Sequence, residues 1–134
     1  LKAEYTLPGI SQSVVITRMA GRTPVPEKES IRSFAAHQAT MVLFLSTGML
    51  EKLSEELVAG GYQEETPAAI VYKATWPEEK VMHCTVGTLA ETAEREKVTK
   101  TALIVVGNVL NTEYERSKLY DPAFTTEFRK GKEV

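Results

Sequence analysis

Thr40-Met41-Val42-Leu43-Phe44-Leu45 is apolar at almost every position, so a strand built from it would bury both of its faces. Such a strand belongs in the middle of a sheet with helices packed on it, which places the chain among α/β proteins. Ser13 to Thr17 is a shorter apolar run bounded by turn signals and predicts another strand. Ala69–Lys73 and Lys80–Cys84 flank a short polar link and predict an antiparallel hairpin; Ala102–Gly107 is the fifth run. Between these lie helical patterns. Pro26-Glu27 opens one that runs to about His37, with Ile31, Phe34 and Ala35 on its apolar stripe. Leu50, Leu53, Leu57 and Val58 mark a second, capped by Thr47 and stopped at Gly60-Gly61. Thr88 to Glu91 has capping-box spacing and starts a third, to about Lys97. The expected fold is α/β, a mixed sheet of about five strands flanked by helices. From Asn111 the chain is polar and aromatic, with Tyr114, Tyr120, Phe124 and Phe128, and reads as irregular or weakly helical.

A chain of 134 residues is enough for one domain with one core. Its net charge of -2 provides no basic field for nucleic acid or an anionic membrane. Cys84 is the only cysteine, so no internal disulfide forms, which fits a reducing, cytoplasmic setting. It lies in an apolar alternation and reads as a packed thiol. No apolar run approaches the ~18 residues of a membrane span. The first residue is Leu1 and no element precedes Lys2-Ala3-Glu4-Tyr5, so the chain is expected to be part of a longer protein.

The chemistry-bearing stretch is Val14 to Ser30. A β-branched run delivers Arg18 to a strand end; Gly21, Arg22 and the stiff Thr23-Pro24-Val25-Pro26 follow. A guanidinium is a planar fork of donors that matches carboxylate or phosphate. Simple surface pairing of these arginines with Glu27 and Glu29 is the bland alternative. His37 and His83 have no partners at metal-ligand spacing, so no metal site is expected. Glu55-Glu56 and Glu64-Glu65 read as solvated faces, and no nucleophile elbow, P-loop or dinucleotide fingerprint occurs. No catalytic acid or base is therefore assigned. If the first three strands run parallel, Arg18 and Arg22, Leu45-Ser46 and Lys73-Ala74-Thr75-Trp76 share one rim. Cationic forks, an apolar wall, small residues and an indole suit a large, flat, acidic ligand. Trp76-Pro77 could instead cover the sheet edge.

At these same tips the sequence resembles the tetrapyrrole methylase family, and within it the carbon-11 methyltransferases. The likeness is carried by TLPGISQSVVITRMAGRTPVPEKES, AAHQATMVLFLS, ELVAGGY, TPAAIVYKATWPEEK, TALIVVGNVL and LYDPAFTTEFRKG, which span nearly the whole chain. The resemblance implies a homodimeric enzyme of two α/β domains with the ligand cleft between them. Residues 1–134 would be the carboxy-terminal domain, separated from an amino-terminal domain that carries a glycine-rich loop. S-adenosylmethionine would be the methyl donor, and precorrin-4 or its cobalt form the tetrapyrrole substrate. By position, the cofactor contacts fall on Leu45, often methionine in relatives, and Ala74, often glycine, with Thr75, Thr101 and Ala102 as weaker candidates. Arg18, Arg22 and His37 match the motif expected to face the substrate's acidic arms. The alternative is a non-catalytic anion-binding or dimerisation domain of the same fold.

Overall fold

A computed structural model describes residues 1, 3–44 and 46–110. The expected strands are present as β1 (Val14–Arg18), β2 (Thr40–Phe44), β3 (Pro67–Tyr72), β4 (Lys80–Thr85) and β5 (Ala102–Val106), joined in one sheet. Their spatial order is β1-β2-β5-β3-β4. β1 pairs parallel to β2, Val14 opposite Thr40 and Arg18 opposite Phe44. β5, last in sequence, enters the centre antiparallel to both β2 and β3. β3 and β4 form the expected hairpin, Pro67 opposite Thr85 and Tyr72 opposite Lys80. With β5 reversing the direction twice, β1, β2 and β3 all point the same way. Their carboxyl ends, and the amino ends of β4 and β5, form one rim.

Three helices, α1 (Ile31–Ala35), α2 (Leu50–Gly60) and α3 (Leu89–Arg95), pack on one face. Their buried residues Ile31, Leu53, Leu57 and Leu89 join Met41, Leu43, Ile70, Met82, Ile104 and Val106 of the sheet in a single core. Alternation along the strands sends Ile16, Val42 and Phe44 to the other face. There Ile16 is 68% and Phe44 42% exposed. Among the described residues, α1, α2 and α3 all lie on the side of β2 that carries Met41 and Leu43.

Local chemistry also moved three helix boundaries. The first expected helix is split. Glu27–Glu29 make a 3-10 turn, and Ser30 is extended at ψ 155. The Ser30 hydroxyl accepts the Ser33 N–H at 3.1 Å, which starts a new helix where continuity was expected. Thr47 does not cap α2. Its hydroxyl donates to the Ala102 carbonyl at 3.4 Å, tying the exit of β2 to the start of β5. The reciprocal cap before α3 is Thr85 with Thr88 rather than Thr88 with Glu91. The Thr85 N–H donates to Thr88 Oγ1 at 3.0 Å and the two hydroxyls are 3.1 Å apart.

At the end of α2, Tyr62 donates its buried hydroxyl to the Ala39 carbonyl, and burial pushes its pKa up to about 12. Cys84 behaves as a packed thiol: burial pushes its pKa up to about 11. Raising a thiol pKa shrinks the thiolate fraction below it, so an aromatic disulfide reagent at about pH 8 should label Cys84 ~100-fold more slowly than a free thiol. Labelling at the free-thiol rate would contradict that burial. The aromatic tail from Asn111, expected to be irregular or weakly helical, lies outside the described residues.

Candidate functional site

The rim collects four loops. Arg18 closes β1, and its side chain turns back onto its own exit loop. One terminal nitrogen donates to the carbonyls of Met19 at 3.1 Å and Thr23 at 3.2 Å. The other donates to Pro24 at 3.1 Å. Three carbonyls with no helix or strand partner thereby share one guanidinium, and the loop closes into a compact turn with Gly21 N–H on Thr23 O at 3.2 Å. In this arrangement the Arg18 guanidinium holds its own loop. Arg22, at the tip, is exposed and makes no hydrogen bond or salt bridge among the described residues. Glu27 and Glu29 form no salt bridge with either arginine among those residues.

Ser46 ties two strand exits of the rim together. It is fully buried, donates to Phe44 O at 2.9 Å and accepts the Met19 N–H at 3.3 Å. One hydroxyl thus fastens the exit of β1 to the exit of β2. Its sequence signal was a small polar residue directly after an apolar run. Leu45, expected to wall the cofactor, lies outside the described residues.

The turn after β3 is the most constrained backbone on the rim. Lys73 has φ 45, Thr75 φ 72 and, across from them, Thr101 φ 60. A β-branched residue at positive φ is an outlier, and each such residue costs about 1–3 kcal/mol unless its surroundings enforce it. Here they do. Lys73 N–H donates to Thr101 O at 2.8 Å, and Trp76 N–H to Lys73 O at 3.0 Å. Thr75 N–H donates to Glu79 Oε2 at 2.8 Å, and Glu79 N–H to Trp76 O at 3.0 Å. The Thr75 N–H holds the Glu79 carboxyl below the usual carboxylate range. Ala74 sits half-buried within this turn, where a small side chain leaves the backbone approachable. Thr101 is exposed and Ala102 buried opposite Tyr72. Strain of this kind concentrates at ligand-binding positions, so the Ala74, Thr75, Thr101 and Ala102 group fits a ligand brought against backbone.

His37 is not brought to this rim. It is exposed just past α1, shortly before β2 begins, at the opposite end of the sheet from Arg18. There, Ser13, Val15, Phe34, His37 and Gln38 line a separate hollow of about 470 Å³. The fold of this chain therefore does not bring His37 together with Arg22. His83 is exposed on β4. Among the described residues no group of three or more His, Cys, Asp or Glu is placed to hold a metal ion, and no helix is long and apolar enough to cross a membrane.

Comparison with known proteins gives a consistent result. Residues 1–90 match the family of Tetrapyrrole (Corrin/Porphyrin) Methylases. A cobalt-precorrin-4 C(11)-methyltransferase of Methanocaldococcus jannaschii is 53% identical over 131 residues, which are 97% of this chain and 51% of that protein. A precorrin-4 C(11)-methyltransferase of Mycobacterium tuberculosis is 40% identical over 125 residues, 92% of this chain and 50% of that protein. Among solved structures, a cobalamin biosynthetic enzyme, cobalt precorrin-4 methyltransferase, superposes with a TM-score of 0.79 at 42% identity. That superposition covers 82% of this chain and 46% of the other. The chain spans about half the length of the curated relatives it matches.

Proposed function

The chain belongs to the tetrapyrrole (corrin/porphyrin) methylase family, and we propose that it is the carboxy-terminal domain of a cytoplasmic, homodimeric methyltransferase acting on carbon 11 of precorrin-4 or cobalt-precorrin-4. The observation that carries this reading is the rim. Loops far apart in sequence meet at one edge of the sheet, and the most strained backbone faces the same edge.

The methyl donor that the family likeness implies is S-adenosylmethionine, which when bound supplies a methyl on a positively charged sulfur. Ala74 and the backbone of Thr75, Thr101 and Ala102 would hold its bulk, and Leu45 would extend the wall. A sulfonium methyl is already electrophilic, so the chain's task is alignment. Holding the ring carbon and the methyl in line at ~3–3.5 Å gains most of the rate such a site can supply. Arg18 fixes the loop, Ser46 fixes the loop to β2, and Arg22 presents its fork to an acidic arm of the substrate.

Arg22→Ala in the full-length parent should raise the substrate KM by about 10-fold, the worth of one charge-assisted contact, with cofactor affinity within ~2-fold. An unchanged substrate KM with loss of dimer assembly would favour a non-catalytic domain instead. The 134 residues alone should be inactive and bind S-adenosylmethionine only weakly, because half of the cleft is contributed elsewhere. Tight binding to this chain in calorimetry would overturn the two-domain reading.

A further inference from the structure

Lys73 leads the rim segment Lys73-Ala74-Thr75-Trp76. In the fold its ammonium lies 5.3 Å from the centre of the Tyr72 ring and 5.2 Å from the centre of the Trp76 ring. Two aromatic faces attract a cation by their quadrupoles, and they restrict a side chain that would otherwise sample many rotamers. They satisfy none of its three N–H donors. Among the described residues Lys73 makes no salt bridge and no side-chain hydrogen bond. The turn bearing it is pinned by Thr101 O and Glu79 Oε2, so the ammonium is held in place from both the backbone and the side chain. Trp76 stays 54% exposed, too open for a residue whose purpose is to close the sheet edge.

A lysine held by its neighbours and not neutralised is available to an anion. We propose that Lys73, gripped by Tyr72 and Trp76, is a carboxylate-docking residue of the rim. The carboxylate belongs either to an acidic arm of the tetrapyrrole or to the aminoacyl end of S-adenosylmethionine; the chemistry is the same for both. The first source matches the rim's dimensions. β1 and β3 are three strand spacings apart, about 14 Å, so the loops that carry Arg22 and Lys73 leave the edge at well-separated points, as a broad, flat polycarboxylate requires. This inference rests on the methyltransferase reading above and adds a residue to it.

The test uses the full-length parent, with Ala74→Leu as the control for that reading. Lys73→Gln should raise the substrate KM by about 10-fold and leave kcat within ~2-fold. Lys73→Arg should restore KM to within ~3-fold, because the charge over the rings is kept. Trp76→Leu should give an intermediate KM, since the ammonium keeps its charge and loses its grip. A loss confined to the calorimetric affinity for S-adenosylmethionine also supports docking and assigns the carboxylate to the cofactor. If Ala74→Leu impairs cofactor binding while Lys73→Gln moves neither constant by more than ~2-fold, the role given to Lys73 is wrong and the rim reading survives. If Ala74→Leu leaves cofactor binding intact, the rim reading itself fails and Lys73 falls with it. Unfolding midpoints of the variants, expected within a few degrees of wild type, separate these effects from loss of fold.

Discussion

Gly60→Ala is expected to destabilise the domain by about 3 kcal/mol and lower its Tm by roughly 10 °C. The reason is a helix crossing. α1 and α2 approach so closely that a Cβ at Gly60 would lie 2.4 Å from the Ala35 Cβ and 2.5 Å from the Arg32 carbonyl oxygen. Neither neighbour is the movable tip of a long side chain; one is backbone and the other is fixed to it. The helices must separate, and Ile31, Ala35, Leu53 and Leu57 of the core separate with them. Alanine's better helix propensity, worth about 1 kcal/mol over glycine, offsets only part of this. Gly48 is the internal comparison. It has nothing within 4 Å of its would-be Cβ, so Gly48→Ala should change stability by no more than about 1 kcal/mol, with either sign. Urea unfolding of the two variants side by side checks the pair. Equal midpoints would mean that the crossing is looser than described.

That glycine also marks the limit of what sequence alone could deliver. Gly60-Gly61 reads as a helix stop, and Gly61, at φ 136, is one. Gly60 is there for a contact with a helix 25 positions upstream, and no local pattern reports such a contact. The strands were legible because apolar runs and turn residues are local signals. The hairpin was legible because its link is short. The central position of β5 was not, since strand order depends on which apolar faces match in space. The site divides in the same way. The conditional step, that strands one to three point the same way, holds, and so the rim exists. Arg18 was visible as a guanidinium, yet only the folded loop brings the carbonyls of Met19, Thr23 and Pro24 within its reach. His37 was grouped with Arg22 by motif, and the direction of α1 carries it to the far end. Lys73 was visible as a rim residue, yet nothing in Tyr72-Lys73-Ala74-Thr75-Trp76 says that the chain turns left-handed there and folds both rings onto the ammonium.

Ala74→Leu is expected to weaken S-adenosylmethionine binding to the full-length parent by about 10- to 100-fold, the range that one overpacked contact spans. The turn cannot retreat to make room. The N–H groups of Lys73, Thr75 and Trp76 and the carbonyls of Lys73 and Trp76 are committed, and the φ values of 45 and 72 leave no neighbouring basin without breaking those bonds. Added side-chain volume therefore has to be absorbed by the ligand. Because Ala74 is only half-buried, the same leucine should leave the unfolding midpoint within a few degrees, which is the opposite outcome to Gly60→Ala. Ala74→Gly supplies the other arm. Removing the methyl opens the approach, and the enforced turn limits the entropic cost, so affinity should stay within ~3-fold. Calorimetry on the three proteins reads the series directly. Leucine and alanine binding the cofactor alike would mean that no ligand comes against this turn, and the strain at Thr75 and Thr101 would then need another cause.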